Sequence, residues 1–171
     1  MEWIILSILI GVLIIGIIAY LFLIVLYHSK LNLLEKRIKI LFEKRTNLIP
    51  AFYQVTKQYV DKHEMVFSDI IYLKKMEMFN TDDYNFHEFL ALEAKIHHEL
   101  NFIFKVLKPI KKVEKNGKFL YIRDLLDETS EKIGKQIRIY KIVSSRYNKM
   151  LKYKNFTIAG IFLPFGEKDE I

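Results

Sequence analysis

The chain of 171 residues, 51% hydrophobic and 14% aromatic, amounts to about one domain with ample material for a core. Its six Gly and three Pro exclude collagen-like or linker-rich designs, and the absence of Cys excludes disulfide frameworks, thiolate metal sites, thiol nucleophiles and a lipid-modified cysteine anchor. A formal net charge of +7 suits anionic partners.

From Trp3 to Tyr27, 25 consecutive positions carry no charge and are mostly Ile, Leu and Val. As a helix this run is roughly 37 Å long, enough to cross a hydrocarbon core of about 30 Å with some tilt. Trp3 and Tyr27 mark its ends, where amphipathic rings favour the headgroup level. A cleavable signal peptide needs a basic start, a short apolar stretch and a small-x-small cleavage site, and all three are missing. The expectation is a retained membrane anchor over residues 1–29. Lys30, Lys36, Arg37, Lys39, Lys44 and Arg45 crowd its C-terminal flank, while the N-terminal flank has no Lys or Arg. The positive-inside bias therefore predicts a single-pass cell-membrane protein with its N-terminus outside and its C-terminal domain cytoplasmic. Gly11 and Gly16 are five apart, which is not the four-residue spacing that lets two helices approach closely.

Beyond residue 28 the apolar positions recur at steps of three and four, the repeat of a helix face packed against others. A first segment runs Leu31, Leu34, Ile38, Leu41, Arg45, Leu48, Phe52, Val55, Tyr59, Lys62, Val66, Asp69, Leu73 and Met76. A second runs Phe86, Phe89, Glu93, Ile96, Leu100, Ile103, Leu107 and Ile110, and a third Phe119, Ile122, Leu126, Thr129, Ile133, Gln136, Tyr140, Val143, Tyr147 and Met150. Phe79 to Tyr84 reads as a polar turn holding Asp82 and Asp83, and Asn85 with Glu88 has the capping-box form. Asn116 and Gly117 read as the end of segment two, with glycine taking the left-handed conformation. Pro50 and Pro109 lie inside periodic runs and predict kinks or local breaks rather than chain reversals.

The fold class is all-α: an N-terminal transmembrane helix followed by an elongated antiparallel bundle of three to four long helices over residues 30–154, then a tail over 155–171 that is apolar and finally acidic. Two arrangements remain open. If segment one is a single helix turning near residues 80–83, Glu93 sits level with about residue 69, roughly 36 Å along the helix from Arg45. Glu93 then meets the Tyr140 hydroxyl, and Arg45 an acid such as Asp124. If segment one breaks near Pro50 or near Lys62 and His63, it folds back, a fourth helix appears, and Arg45 can reach Glu93 directly.

Arg45, Leu48, Ile49 and Pro50, followed by Val55, Tyr59, His63 and Glu64, resemble the R-x-x-L-I-P through V, Y and H-E run of the LemA family of bacterial membrane proteins. Phe119, Leu126, Thr129, Ile133, Tyr140, Tyr147 and Asn148 fall at that family's spacing for its last long helix. Asn155, Ile158, Ala159, Gly160 and Phe162 are similar to its N-x-I-A-G-x-F ending. The stretch before Arg45 is about a heptad shorter than usual and lacks the usual Trp, and Phe165 to Ile171 is unlike the family. The resemblance implies an N-terminal anchor, a mostly helical domain and no established biochemical activity. Some relatives resemble lipoproteins, a route that the missing cysteine closes here.

Arg45, Glu93, Thr129 and Gln136 are polar positions on seams that should be dry, and a buried charge needs a partner. Their simplest role is to set helix register; the alternative is a ligand site. Glu93, His97, His98 and Glu99 offer metal-ligand chemistry, but adjacent histidines point about 100° apart on a helix, so only one shares a face with Glu93. His63 and Glu64 lack the second histidine of a zinc-protease helix, Phe67 standing in its place. Ser68, Ser130, Ser144 and Ser145 have no nucleophile elbow, and no glycine-rich loop is present to cradle phosphate.

No catalytic site, cofactor or metal is therefore expected. The basic residues are the handle on partners: Lys30, Lys36, Arg37 and Lys39 beside the anchor, and Lys108, Lys111, Lys112, Lys115 and Lys118 around the second turn. Both groups suit anionic lipid headgroups, each residue contributing about 1 kcal/mol near the surface. Aromatic residues follow the seam period rather than forming a stacking row, which argues against nucleic acid. The apolar stretch Phe156 to Phe165 is expected to dock on the bundle, with a partner's cleft or a second membrane contact as alternatives. The sequence thus points to a non-enzymatic, membrane-anchored interaction or scaffold protein with a lipid bilayer and an unidentified protein as partners. The alternative is a module responsive to anionic lipid or polyanions.

Overall fold

The computed structural model describes residues 1–57, 59, 86–154 and 165–168, and all regular structure among them is helical. Helix α1 spans Glu2–Thr56, α2 Phe86–Leu107, α3 Lys111–Glu114 and α4 Gly117–Lys154. The turn at Phe79 to Tyr84 with Asp82 and Asp83, the side-chain box of Asn85 and Glu88, and His63, Glu64, Ile158, Ala159, Gly160 and Phe162 lie outside the described residues.

Helix α1 runs without interruption through 55 residues. Pro50 sits within it on an exposed position, and the helix continues past it. The end comes at Thr56, whose hydroxyl donates to the Phe52 carbonyl at 2.8 Å, while the Tyr59 amide tightens the chain by donating to the Thr56 carbonyl at 2.8 Å. One face of α1 is buried at Ile24, Leu31, Leu34, Ile38, Phe42, Arg45, Ile49, Phe52 and Thr56. Arg45 and Phe52 are buried as the expected seam has them, but Phe42, Ile49 and Thr56 take the places of Leu41, Leu48 and Val55, which are half-buried. A strict 3.5-residue repeat drifts on a straight 3.6-residue helix, and one extra step of four, from Ile38 to Phe42, restores the alignment. Segments two and three bury Phe86, Phe89, Glu93, Ile96, Leu100, Ile103 and Leu107, and Phe119, Leu126, Thr129, Ile133, Tyr140, Val143 and Tyr147, as the repeat predicts, while Ile110, Ile122, Gln136 and Met150 on the same seams are half-buried.

Contacts divide the chain into two compact units, Met1–Lys36 with Arg138–Ile171, and Arg37–Ile137. In the second unit, Phe42 meets Phe89 with ring centroids 4.7 Å apart, and Phe52 meets Phe104 at 5.3 Å. Numbers rise together on the two helices, so α1 and α2 are parallel. The direct hairpin between segments one and two is thereby replaced by the arrangement with a break, which falls after Thr56 rather than at Pro50. Phe119 of α4 closes this aromatic cluster on Phe52 at 6.0 Å. Each such ring buried fully is worth about 1.5–3 kcal/mol, with about 0.5–1.5 more per aromatic pair.

Pro109 ends α2 as a local break, and the Ile110 amide donates to the Leu107 carbonyl at 3.0 Å. The reading of Asn116 and Gly117 as a helix stop is corrected. Asn116 Oδ1 accepts from the amides of Lys118 at 3.0 Å and Phe119 at 3.2 Å, so it caps the start of α4. No described glycine takes a positive φ. Asn-Gly suits both ends of a helix, and here the preceding proline had already ended α2.

In the first unit α1 and the end of α4 are antiparallel. The Tyr20 hydroxyl donates to the Met150 carbonyl, His28 lies beside Tyr147, and the Tyr140 hydroxyl donates to Glu35 at 3.1 Å. The core between them is Ile24, Leu31 and Leu34 against Tyr140, Val143, Tyr147 and Leu151. One face of helix α1 thus meets protein from Tyr20 onward, seven residues before the apolar run ends at Tyr27, while Phe22, Leu23, Val25 and Leu26 stay exposed and Trp3 at the other end is 80% exposed.

Candidate functional site

Two clusters of polar side chains stand out, one in each unit. In the second unit Arg45, fully buried, donates through Nη1 to Glu93 Oε1 at 2.9 Å. The guanidinium also lies 5.3 Å from the Phe42 ring centroid, within cation–π range. Burial lowers the Arg45 pKa and the Glu93 carboxylate opposes that shift. Arg45 Nε and Nη2 have no hydrogen-bond partner among the described residues, so a single ion pair carries a cation with two unmatched donors. The fallback partners are corrected with the topology: Tyr140 bonds Glu35, and Asp124 pairs with Arg123 at 2.8 Å. Thr129 turns its hydroxyl back to the Leu125 carbonyl at 2.7 Å, the usual outlet for a threonine on a buried helix face.

Gln136, with Oε1 buried and unpartnered among the described residues, lines an open groove of about 440 Å³ with Arg37, Lys132, Lys135, Ile40 and Leu41. Residues a hundred positions apart meet there, which periodicity alone does not reveal. His97 bonds Asn101 at 3.0 Å and is exposed, as is His98. No group of three or more His, Cys, Asp or Glu side chains placed to hold a metal occurs among the described residues.

In the first unit the segment Phe165 to Lys168 docks on α1 and α4. Phe165 stacks on His28 with centroids 4.4 Å apart, and the Tyr147 hydroxyl donates to the Gly166 carbonyl at 3.3 Å. Asn148 clasps one backbone unit from both sides: its Nδ2 donates to the Lys168 carbonyl at 2.6 Å, and its Oδ1 accepts from the Lys168 amide at 3.0 Å. Lys168 Nζ then reaches Glu35 at 3.0 Å, the carboxylate that Tyr140 also bonds. Burial raises the Tyr147 pKa, so the phenol stays protonated as a donor. Burial lowers the His28 pKa, with Lys168 adding to the effect and Glu35 opposing it.

Tyr140, Tyr147 and Asn148, noted in the sequence for their spacing, therefore converge on the chain's own tail. The seam period had placed Tyr140 and Tyr147 on one helix face, with Asn148 adjacent; the partners Glu35 and His28, 105 and 119 residues away, and Lys168 on the tail carried no sequence signal. Ile49 is buried, Leu48 and Tyr59 are half-buried and Pro50 is exposed. Lys30, Lys36 and Arg37 are exposed and Lys39 is half-buried, while Lys108, Lys111, Lys112 and Lys115, along α3 and the turns on either side of it, and Lys118 in the first turn of α4 are all exposed.

These features define an all-α protein built on an N-terminal helix long and apolar enough to cross a membrane. The helical body that follows carries the buried Arg45–Glu93 ion pair, and α4 clasps the segment Phe165 to Lys168. The chain belongs to the LemA family, whose family model matches residues 35–169. No curated protein and no solved structure matches it.

Proposed function

We propose that the protein is a single-pass membrane-anchored adaptor that presents a helical body to a protein partner on the cytoplasmic side, without catalysis of its own. The continuity of α1 carries this reading: its first turns expose Ile4, Ile5, Leu9 and Leu13 along an apolar surface suited to lipid, and the same helix later buries Ile38, Phe42 and Phe52 in the body. A body tethered to a membrane anchor stays near the bilayer, which raises its effective concentration toward a partner at that surface. Exposed apolar residues on the body, Ile40, Phe102, Tyr121 and Ile142, are suited to partner contact.

Photo-crosslinking amino acids at these four positions in the full-length chain, in intact cells, should each trap a discrete and reproducible adduct. A uniform absence of adducts overturns the adaptor reading. The cysteine-free sequence makes sidedness directly measurable. A single cysteine in place of Lys36 should resist an impermeant maleimide added outside cells and react after permeabilisation.

A second reading, contact of the body with an anionic surface, is favoured by the exposure of Lys108, Lys111, Lys112, Lys115 and Lys118. Free anionic vesicles should then bind the nanodisc-embedded protein with an affinity that falls steeply as salt rises, because surface charges interact only within about 8 Å at physiological ionic strength.

A further inference from the structure

Helix α4 ends beside the apolar run, which bears on how deep that run can sit. Met150 accepts from the Tyr20 hydroxyl, and Ile24, 0% exposed, is already covered by protein. The outer face of α4 at this level carries Arg146, Lys149, Lys152 and Tyr153, all exposed, at the three- and four-residue spacing of one helical stripe. If Tyr27 lay at the headgroup level, as the apolar run alone suggests, the level of Tyr20 would be about 10 Å inside the hydrocarbon. Lys149 and Lys152 would go with it, and charges inside the hydrocarbon are unfavourable.

If Tyr20 lies at that level instead, the residues from Glu2 to Tyr20 form a helix of about 28 Å, just matching a hydrocarbon core of about 30 Å. Little slack remains. The acidic Glu2 bounds one side and the cations of α4 the other, so the end of α4 is held in the headgroup layer, with Tyr20 and Tyr153 as its interfacial aromatics.

We infer that Arg146, Lys149, Lys152 and Tyr153 form a contact site for anionic phospholipid headgroups of the leaflet facing the body. The inference rests on the anchoring reading of α1 and adds a specific lipid-binding surface, separate in sequence from the lysines that follow the apolar run and those around the α2–α4 turn. Helix α4 thereby becomes a second membrane contact, and its tyrosine and lysines are matched to the polar and charged parts of one layer.

The test uses the full chain in lipid nanodiscs with nitroxide labels on single cysteines, one variant each for Leu13→Cys, Tyr153→Cys and Lys36→Cys. The Leu13 label should report hydrocarbon depth, the Tyr153 label phosphate depth and the Lys36 label bulk water. The preference for spin-labelled phosphatidylglycerol over phosphatidylcholine in the protein's lipid shell should fall about fivefold for each of Lys149→Gln and Lys152→Gln. A Tyr153 label as water-exposed as the Lys36 label, with the Leu13 label still deep, overturns the contact site and leaves the anchor standing. An unchanged lipid preference in both glutamine variants overturns it as well. A Leu13 label outside the hydrocarbon overturns the anchor and the contact together.

Discussion

Arg45 and Glu93 show how a buried pair differs from a surface one. Their attraction offsets the cost of removing both charges from water only while both are present, and Arg45 already carries two unmatched nitrogens. Glu93→Ala should therefore destabilise the body by about 3–5 kcal/mol, whereas Arg45→Met with Glu93→Leu should be neutral or stabilising by about 1–4 kcal/mol. Denaturant titration of the detergent-solubilised protein separates the two, and equal losses in both variants would contradict the unmatched-charge account. The tail clasp responds to pH through His28. Burial and the Lys168 ammonium hold its docked pKa below the usual value near 6.5, while undocking the tail removes Lys168 and the Phe165 cover and moves it back up toward that value. The undocked form binds more protons between those two values. Docking is thus complete above about 6.5 and weakens as pH falls through that window toward the depressed value. Hydrogen exchange at the Lys168 amide, which donates to Asn148, should accelerate on acidification beyond its intrinsic rate change. His28→Gln should remove that dependence. Asn148→Ala should release the tail at every pH, a loss of about 1–3 kcal/mol for two hydrogen bonds.

At the level of elements, the cap of α4 is a local device with a local cost. Asn116 satisfies two of the orphan amides of the first turn, and Asn116→Ala should cost about 1 kcal/mol by thermal or chemical melting, with Asn116→Ser recovering most of it. Helix existence and the buried faces of α2 and α4 were legible because a three-four repeat of large apolar residues leaves a helix one way to bury itself. The register of α1 was legible only to one residue. Leu41 and Phe42, like Leu48 and Ile49, are adjacent apolar pairs, and either member satisfies the pattern until a partner helix selects one. Asn116 was misread because Asn-Gly carries the same chemistry at a helix start as at a stop. The Arg45–Glu93 pair was visible as two polar residues on dry seams, but their contact depends on α2 running parallel to α1. The tail clasp was legible on one side only: Tyr140 and Tyr147 share a helix face with Asn148 next to it, whereas a peptide backbone held by an asparagine leaves no mark on the side chains of the segment it holds.

For the molecule as a whole, attachment to the bilayer depends on an apolar surplus that a small number of charges can cancel. Between Trp3 and Tyr20 there are twelve Ile, Leu and Val residues. At about −0.3 to −0.6 kcal/mol each they favour insertion by about 5 kcal/mol, while each arginine near the helix centre opposes it by about 3 kcal/mol. Leu13→Arg alone should leave most of the protein in the membrane fraction after alkaline carbonate extraction. Leu9→Arg with Leu13→Arg, one turn apart on the same face, should move most of it to the soluble fraction or into degradation. The body should be indifferent to both changes, because Leu9 and Leu13 are 62% and 58% exposed and precede the first residue of α1 that the body buries, Ile24. Near-ultraviolet circular dichroism of the detergent-solubilised double variant should therefore match that of the parent. Retention of the double variant in the membrane pellet would instead assign attachment to contacts beyond this helix.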